Sequence, residues 1–208
     1  MSTLTIGSSY RLRDVEDPPS TLLKIVVLGD TEVEKSCLVK EPTGKGENGS
    51  SIHTIGMKIL TRHIKKRNKK YTLQICKIIG KKTIQEIRVP KSCIGADICV
   101  LNYRVGDPIS FAKLRMWRYI FNYRINIREA GNVPFVVIGD KSDTPDFTRH
   151  ASTEEVGTWC RLMDIPYFET SAKEDNIQMI LETVIDKSEL HDNKFEDYKK
   201  SIVLPVFV

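Results

Sequence analysis

Lys24-Ile25-Val26-Val27-Leu28-Gly29-Asp30-Thr31-Glu32-Val33-Glu34-Lys35-Ser36 is the stretch on which the reading of this chain turns. Its apolar run predicts a buried strand over residues 22–28. Residues 29–36 have the outline of a phosphate-binding loop: Gly, four residues, Gly, Lys, then Ser or Thr, between a strand and a helix. Gly29, Lys35 and Ser36 stand in register with that outline, and Glu34 occupies the second Gly. Such a loop works by turning bare backbone N–H groups toward phosphate oxygens. A Glu adds a Cβ and a negative charge beside a polyanion. Two unit charges about 4 Å apart repel by about 4 kcal/mol at an effective dielectric near 20. The frame of a nucleotide site is therefore visible, with its central device altered.

Outward from this loop, the 208 residues suit one domain with tails. A 40% apolar share is enough for a core, and the net charge of +5 is too moderate to define a partner class. Cys37, Cys76, Cys93, Cys99 and Cys160 are odd in number and form no CxxC pair, which points to buried thiols in a reducing compartment. No apolar stretch is long enough to span a bilayer, and the N-terminus lacks a signal-peptide pattern. The basic run Lys65-Lys66-Arg67-Asn68-Lys69-Lys70 reads either as an anion-binding patch or as a solvated hairpin tip. It lacks interleaved aromatic residues, which argues against nucleic acid.

The pattern predicts a polar arm over residues 1–20, one domain over 21–187 and a tail over 188–208. Pro42, Gly44, Gly46 and Gly49 cut short the helix that should begin near Ser36 and predict a mobile loop. Residues 55–64 and 71–79 read as a hairpin. Further strands are expected at 98–103, 134–139 and 166–169, and helices at 111–123, 152–160 and 177–185. Alternating strands and helices predict an α/β fold with a doubly wound sheet, whose ligands sit at the carboxyl ends of the strands.

Four segments in order then carry a family resemblance. They are residues 24–36, His53-Thr54-Ile55-Gly56, Asp140-Lys141-Ser142-Asp143 and Glu169-Thr170-Ser171-Ala172-Lys173. Together they resemble the small GTPases, and the Rab family in particular. Pro134-Phe135-Val136-Val137-Ile138-Gly139-Asp140-Lys141 and Pro166-Tyr167-Phe168-Glu169-Thr170-Ser171-Ala172-Lys173 resemble the late-endosomal branch. The resemblance spans residues 21–187. It implies a G domain with a six-stranded, mostly parallel sheet flanked by about five helices. It also implies GTP and GDP as ligands with Mg²⁺, and Rab-type effectors or regulators as partners.

By that resemblance Gly29 and Lys35 would hold phosphate, and Ser36 and Thr54 would ligand Mg²⁺. Lys141 and Asp143 would hold the guanine base, Asp140 would stand where the family has Asn, and Ser171, Ala172 and Lys173 would line the base. The departures are systematic. The family's Asp-Thr-Ala-Gly-Gln-Glu reads Lys77-Ile78-Ile79-Gly80-Lys81-Lys82 here. Lys77 reverses the charge of the carboxylate that steadies the metal. Lys81 replaces the Gln that orients water, and a lysine has no acceptor. Glu32 and Glu34 replace loop glycines. No Cys comes after Cys160, whereas Rabs usually end in prenylated cysteines. These changes imply weak nucleotide binding, a poorly held metal, no intact catalytic residue and little or no GTP hydrolysis. They also imply a cytoplasmic protein recruited to endosomal membranes by partners. A slow but working GTP switch is the alternative.

Overall fold

The computed structural model describes residues 20–29, 38, 49–54, 57–78, 95–124, 133–140, 153–170 and 177–201, with backbone alone at 49–54, 153 and 193–201. Seven strands occur in it: β1 (Thr21–Gly29), β2 (Gly49–Thr54), β3 (Met57–Lys66), β4 (Lys69–Ile78), β5 (Ile98–Arg104), β6 (Phe135–Asp140) and β7 (Tyr167–Thr170). Four helical segments accompany them: α1 (Pro108–Ala112), α2 (Leu114–Arg124), α3 (Thr153–Leu162) and α4 (Ile177–Ser201).

One sheet holds all the strands in the order β2-β3-β4-β1-β5-β6-β7. The β2–β3 and β3–β4 pairs are antiparallel, and the other four pairs are parallel. The expected mostly parallel α/β architecture is present, with one correction to the strand count. Residues 49–54, read from their glycine-rich approach as the end of a loop, pair with β3 as an additional edge strand. The last helix also runs on to Ser201, beyond the end near 185 that its apolar pattern marks. The helix expected to begin near Ser36 lies outside the described residues, apart from Leu38.

The central strands are buried on both faces, which is why their sequences are nearly continuous apolar runs. Alternation splits the core in two. One face packs Cys99, Leu101, Tyr103, Trp117, Phe121 and Trp159. The other packs Ile25, Val27, Ile75, Val100, Ile138 and Val184, with Leu38. Cys76, Cys99 and Cys160 are buried free thiols, as their sequence setting suggests. Burial pushes the Cys160 thiol up to about 11.

Local chemistry sets the element ends. Asp107 caps α1, its carboxylate accepting from the backbone N–H of Ile109 and Ser110, and Pro108 opens the helix. The β3–β4 hairpin closes through Arg67 and Asn68, both at positive φ, as a tight two-residue turn requires. The tip is not merely solvated. Lys66 Nζ lies 2.7 Å from Asp186 Oδ1 on α4 and donates to the Glu182 carbonyl, and Lys69 Nζ lies 3.1 Å from Glu189 Oε1. The basic run thus straps the hairpin to the C-terminal helix.

Candidate functional site

Side chains alternate along a strand, so the register decides which residues share a face. On the face that carries α4, one row crosses six adjacent strands: Lys58 at the start of the antiparallel β3, then, at the carboxyl ends of the other five, Lys77 on β4, Gly29 on β1, Asn102 on β5, Asp140 on β6 and Thr170 on β7. Lys58 pairs directly with Lys77, Gly29 with Asn102, and Asp140 with Thr170. This row is where the fold places a ligand. Three of its members are buried polar side chains, with Asn102 and Asp140 2% exposed and Thr170 0%.

Gly29 ends β1 under a tight constraint. A Cβ there would lie 2.6 Å from the Asn102 carbonyl oxygen and 3.1 Å from Asn102 Cβ. The strands can approach this closely only because position 29 has no side chain. Asn102 is a polar residue in a mostly apolar strand, and among the described residues neither its amide nitrogen nor its amide oxygen has a hydrogen-bond partner. The Thr170 hydroxyl is likewise buried without one. Arg104 is the register partner of Asp140 on β5, an opposite-charge neighbour for its carboxylate.

Lys77 is half-buried, with Val27 beside it on β1 and Lys58 on β3. An ammonium has no lone pair for a metal or its water shell, so Lys77 could not itself steady a bound metal. Among the described residues no group of three or more His, Cys, Asp and Glu could hold a metal ion. An ionised Asp140 accepts hydrogen bonds and donates none, unlike the Asn of the resembling motif.

The opposite face carries a polar relay that no local sequence pattern marks. The hydroxyls of Tyr103 and Tyr167 lie 2.7 Å apart, and Tyr167 in turn donates to Glu169 Oε1. Burial, then the bond to Glu169, pushes the Tyr167 hydroxyl far above the usual phenol range. Gly139 leaves room for this, since a Cβ there would lie 2.9 Å from the Tyr103 ring. The relay holds the end of β7, from which Ser171, Ala172 and Lys173 continue. Tyr103 and Tyr167 are 64 residues apart, too far for spacing to pair them.

Of the residues singled out from sequence, the fold brings Gly29, Lys77 and Asp140 into one row, and Thr54 ends β2. Glu32, Glu34, Lys35, Ser36, Lys81, Lys141, Asp143, Ser171, Ala172 and Lys173 lie outside the described residues, as do Cys37 and Cys93.

The family model described as "Ras family" matches residues 24–189. The chain is 38% identical over 168 residues to the human "Ras-related protein Rab-9B", covering 80% of this chain and 82% of that protein. It is 36% identical over 187 residues to the "Ypt/Rab-type GTPase avaA" of Emericella nidulans, covering 89% and 90%. It is also 36% identical over 156 residues to the "Ras-related protein Rab-9A" of Rattus norvegicus, covering 74% and 76%.

Proposed function

Since this chain belongs to the Ras family, as a Rab-type small GTPase homologue of the late-endosomal kind, we propose that it serves vesicle traffic as a binding module with a degraded nucleotide cycle. In this reading guanine-nucleotide binding is weak, depends little on Mg²⁺, and leads to little or no GTP hydrolysis. Its partners are Rab-type effectors or regulators. One observation carries the proposal. Lys77, the charge-reversed residue, stands in the same polar row as Gly29 and Asp140, directly across from a second lysine, Lys58. The substitution therefore falls among the candidate ligand-facing residues and not on a remote surface.

GTP would supply the phosphoryl chemistry if bound. Within the described residues this chain's contribution is positional. Gly29 keeps the first loop residue close to β5, and Tyr167 and Glu169 tie down the strand that leads to the base-lining segment. Among the described residues no helix is long and apolar enough to cross a membrane, and we place the protein in the cytoplasm, brought to endosomal membranes by partners.

The test is steady-state phosphate release from GTP beside a Lys35→Ala control. Titration with a fluorescent GDP analogue, with and without chelator, completes it. The proposal expects background turnover and binding that chelation barely changes. Turnover well above the control, or tight binding that collapses on chelation, supports the second reading, a slow working switch. That reading rests on the retained motif residues Lys35, Ser36, Thr54, Lys141, Asp143 and Ser171, Ala172 and Lys173.

A further inference from the structure

Helix α2 carries three arginines and no acidic residue along its length. Its inward face is Leu114, Trp117, Ile120 and Phe121, all buried in the core. Helical spacing puts Arg115, Tyr119 and Tyr123 in a line on the outward side, with Arg118 beside them. Tyr119 and Tyr123 are 66% and 68% exposed, and their rings stack on each other at 5.9 Å and 6°. Two large rings thus stand ordered on the surface with little protein over them.

Arg118 is the charged member with an unmet need. It is half-buried, and its guanidinium lies 5.4 Å from the centre of the Phe135 ring. Its Nη1 donates to Met163 Sδ at 3.5 Å, and its Nε is buried with no partner. A thioether is a weak acceptor, and a partly desolvated charge is stabilised best by an opposite charge with good hydrogen bonds. Among the described residues neither Arg115 nor Arg118 forms an ion pair. Asp164, next to Met163, lies 3.9 Å from Lys187 Nζ instead. Leu162, 79% exposed, and Met163 add apolar surface on the α3 side of Arg118.

We propose that the outward face of α2, with Leu162 and Met163 beside it, docks an acidic amphipathic segment of a partner protein. The segment's carboxylates meet Arg115 and Arg118, and its apolar side chains lie on Tyr119, Tyr123 and Leu162. Charge complementarity selects the partner, because a guanidinium fork matches a carboxylate in a bidentate pair. The composition selects a protein, because tyrosine and arginine set among apolar residues are what binding hot spots are made of. Helix α2 packs on the face of the sheet opposite the polar row, so this surface does not depend on the nucleotide reading.

The test uses the full chain and a fluorescent helical peptide with Glu and Leu at helical spacing. Its Glu-to-Gln counterpart and a single-stranded oligothymidine are the comparison probes. Binding is read by fluorescence polarisation and mapped by backbone amide shifts, and thermal melts confirm that each variant is folded. The Glu peptide should bind, and its Gln counterpart should bind at least about tenfold more weakly. Arg115→Gln and Arg118→Gln should each cost about tenfold, the effect of losing one charge-assisted contact. Tyr123→Ala, which leaves every charge in place, should weaken binding too. Arg67→Gln removes the same charge from the exposed hairpin tip and should change little. Amide shifts should fall on α2 and on residues 162 and 163. No binding of the Glu peptide, equal binding of its Gln counterpart, or an equal loss with Arg67→Gln overturns the proposal. So does tighter binding of oligothymidine that the α2 variants abolish, which would make the face a nucleic-acid surface.

Discussion

Gly29 and Asn102 are register partners on β1 and β5, so close that a Cβ on the first would lie 2.6 Å from the backbone carbonyl of the second. The obstructing atom is main chain in a buried parallel strand and cannot rotate away. Gly29→Ala must therefore push β1 from β5 at the point where the phosphate loop departs. The expected loss is on the order of 1–3 kcal/mol, the usual range for overpacking. A thermal melt that matches wild type would show that the strand ends are more yielding than this geometry allows.

Asn102 supplies a second prediction. Its amide is buried and, among the described residues, unpartnered on both atoms, and a buried unsatisfied polar group costs about 1–3 kcal/mol. Asn102→Val keeps a branched side chain of similar bulk and removes the cost. The variant should melt higher without nucleotide, by about 2–4 °C for each kcal/mol gained in a domain of this size. A lower melting temperature would mean that the amide has a partner in solution.

The Tyr103–Tyr167–Glu169 relay predicts a distinct effect on the opposite face of the sheet. Tyr167→Phe removes the central hydroxyl and leaves Tyr103 and Glu169 without their shared partner. Stability should fall by about 1.5–3 kcal/mol, the range for a hydrogen bond to a charged group. Amide hydrogen exchange should speed up most in β7. Unchanged exchange at residues 167–170 would sink the assignment.

Tyr71 and Glu189 make stability depend on pH at both extremes. Burial, then the bond to Glu189, pushes the Tyr71 hydroxyl from 10 up to about 12. The same bond, more than any other contact, holds the Glu189 carboxyl below its ordinary 4.5. A raised acid contributes stability that is full below its unfolded value and is lost as pH rises through the folded one, here between 10 and 12. A depressed carboxyl contributes stability above its unfolded value that is lost as pH falls through the folded one, below 4.5. Tyr71→Phe should flatten both limbs in denaturant titrations run across pH. A variant with limbs as steep as wild type would show that other groups govern them.

Catalytic repair should fail when attempted at one position. On the proposed reading, Lys81→Gln restores a side chain that can orient water, while Lys77 would still oppose a metal and Glu34 would still stand at a loop glycine's position. Phosphate release from this variant should stay at the level of the Lys35→Ala control. A rise above that control would place the whole defect at residue 81.

By itself, the sequence determined the α/β class and the chain order of six of the seven described strands. These rest on short-range information: apolar runs mark doubly covered strands, and motif residues sit at fixed spacing. Gly29, Lys77 and Asp140 could be picked out on that basis alone. Tertiary structure decided what no spacing records. The register put Asn102 beside Gly29 and Lys58 beside Lys77. Folding joined Tyr103 to Tyr167 and strapped Lys66 to the distant Asp186. It also carried the last helix past the end of its apolar periodicity, to Ser201. The reason is physical: a strand's own pattern says which side chains alternate inward, but only pairing with its neighbours decides which inward side chains meet.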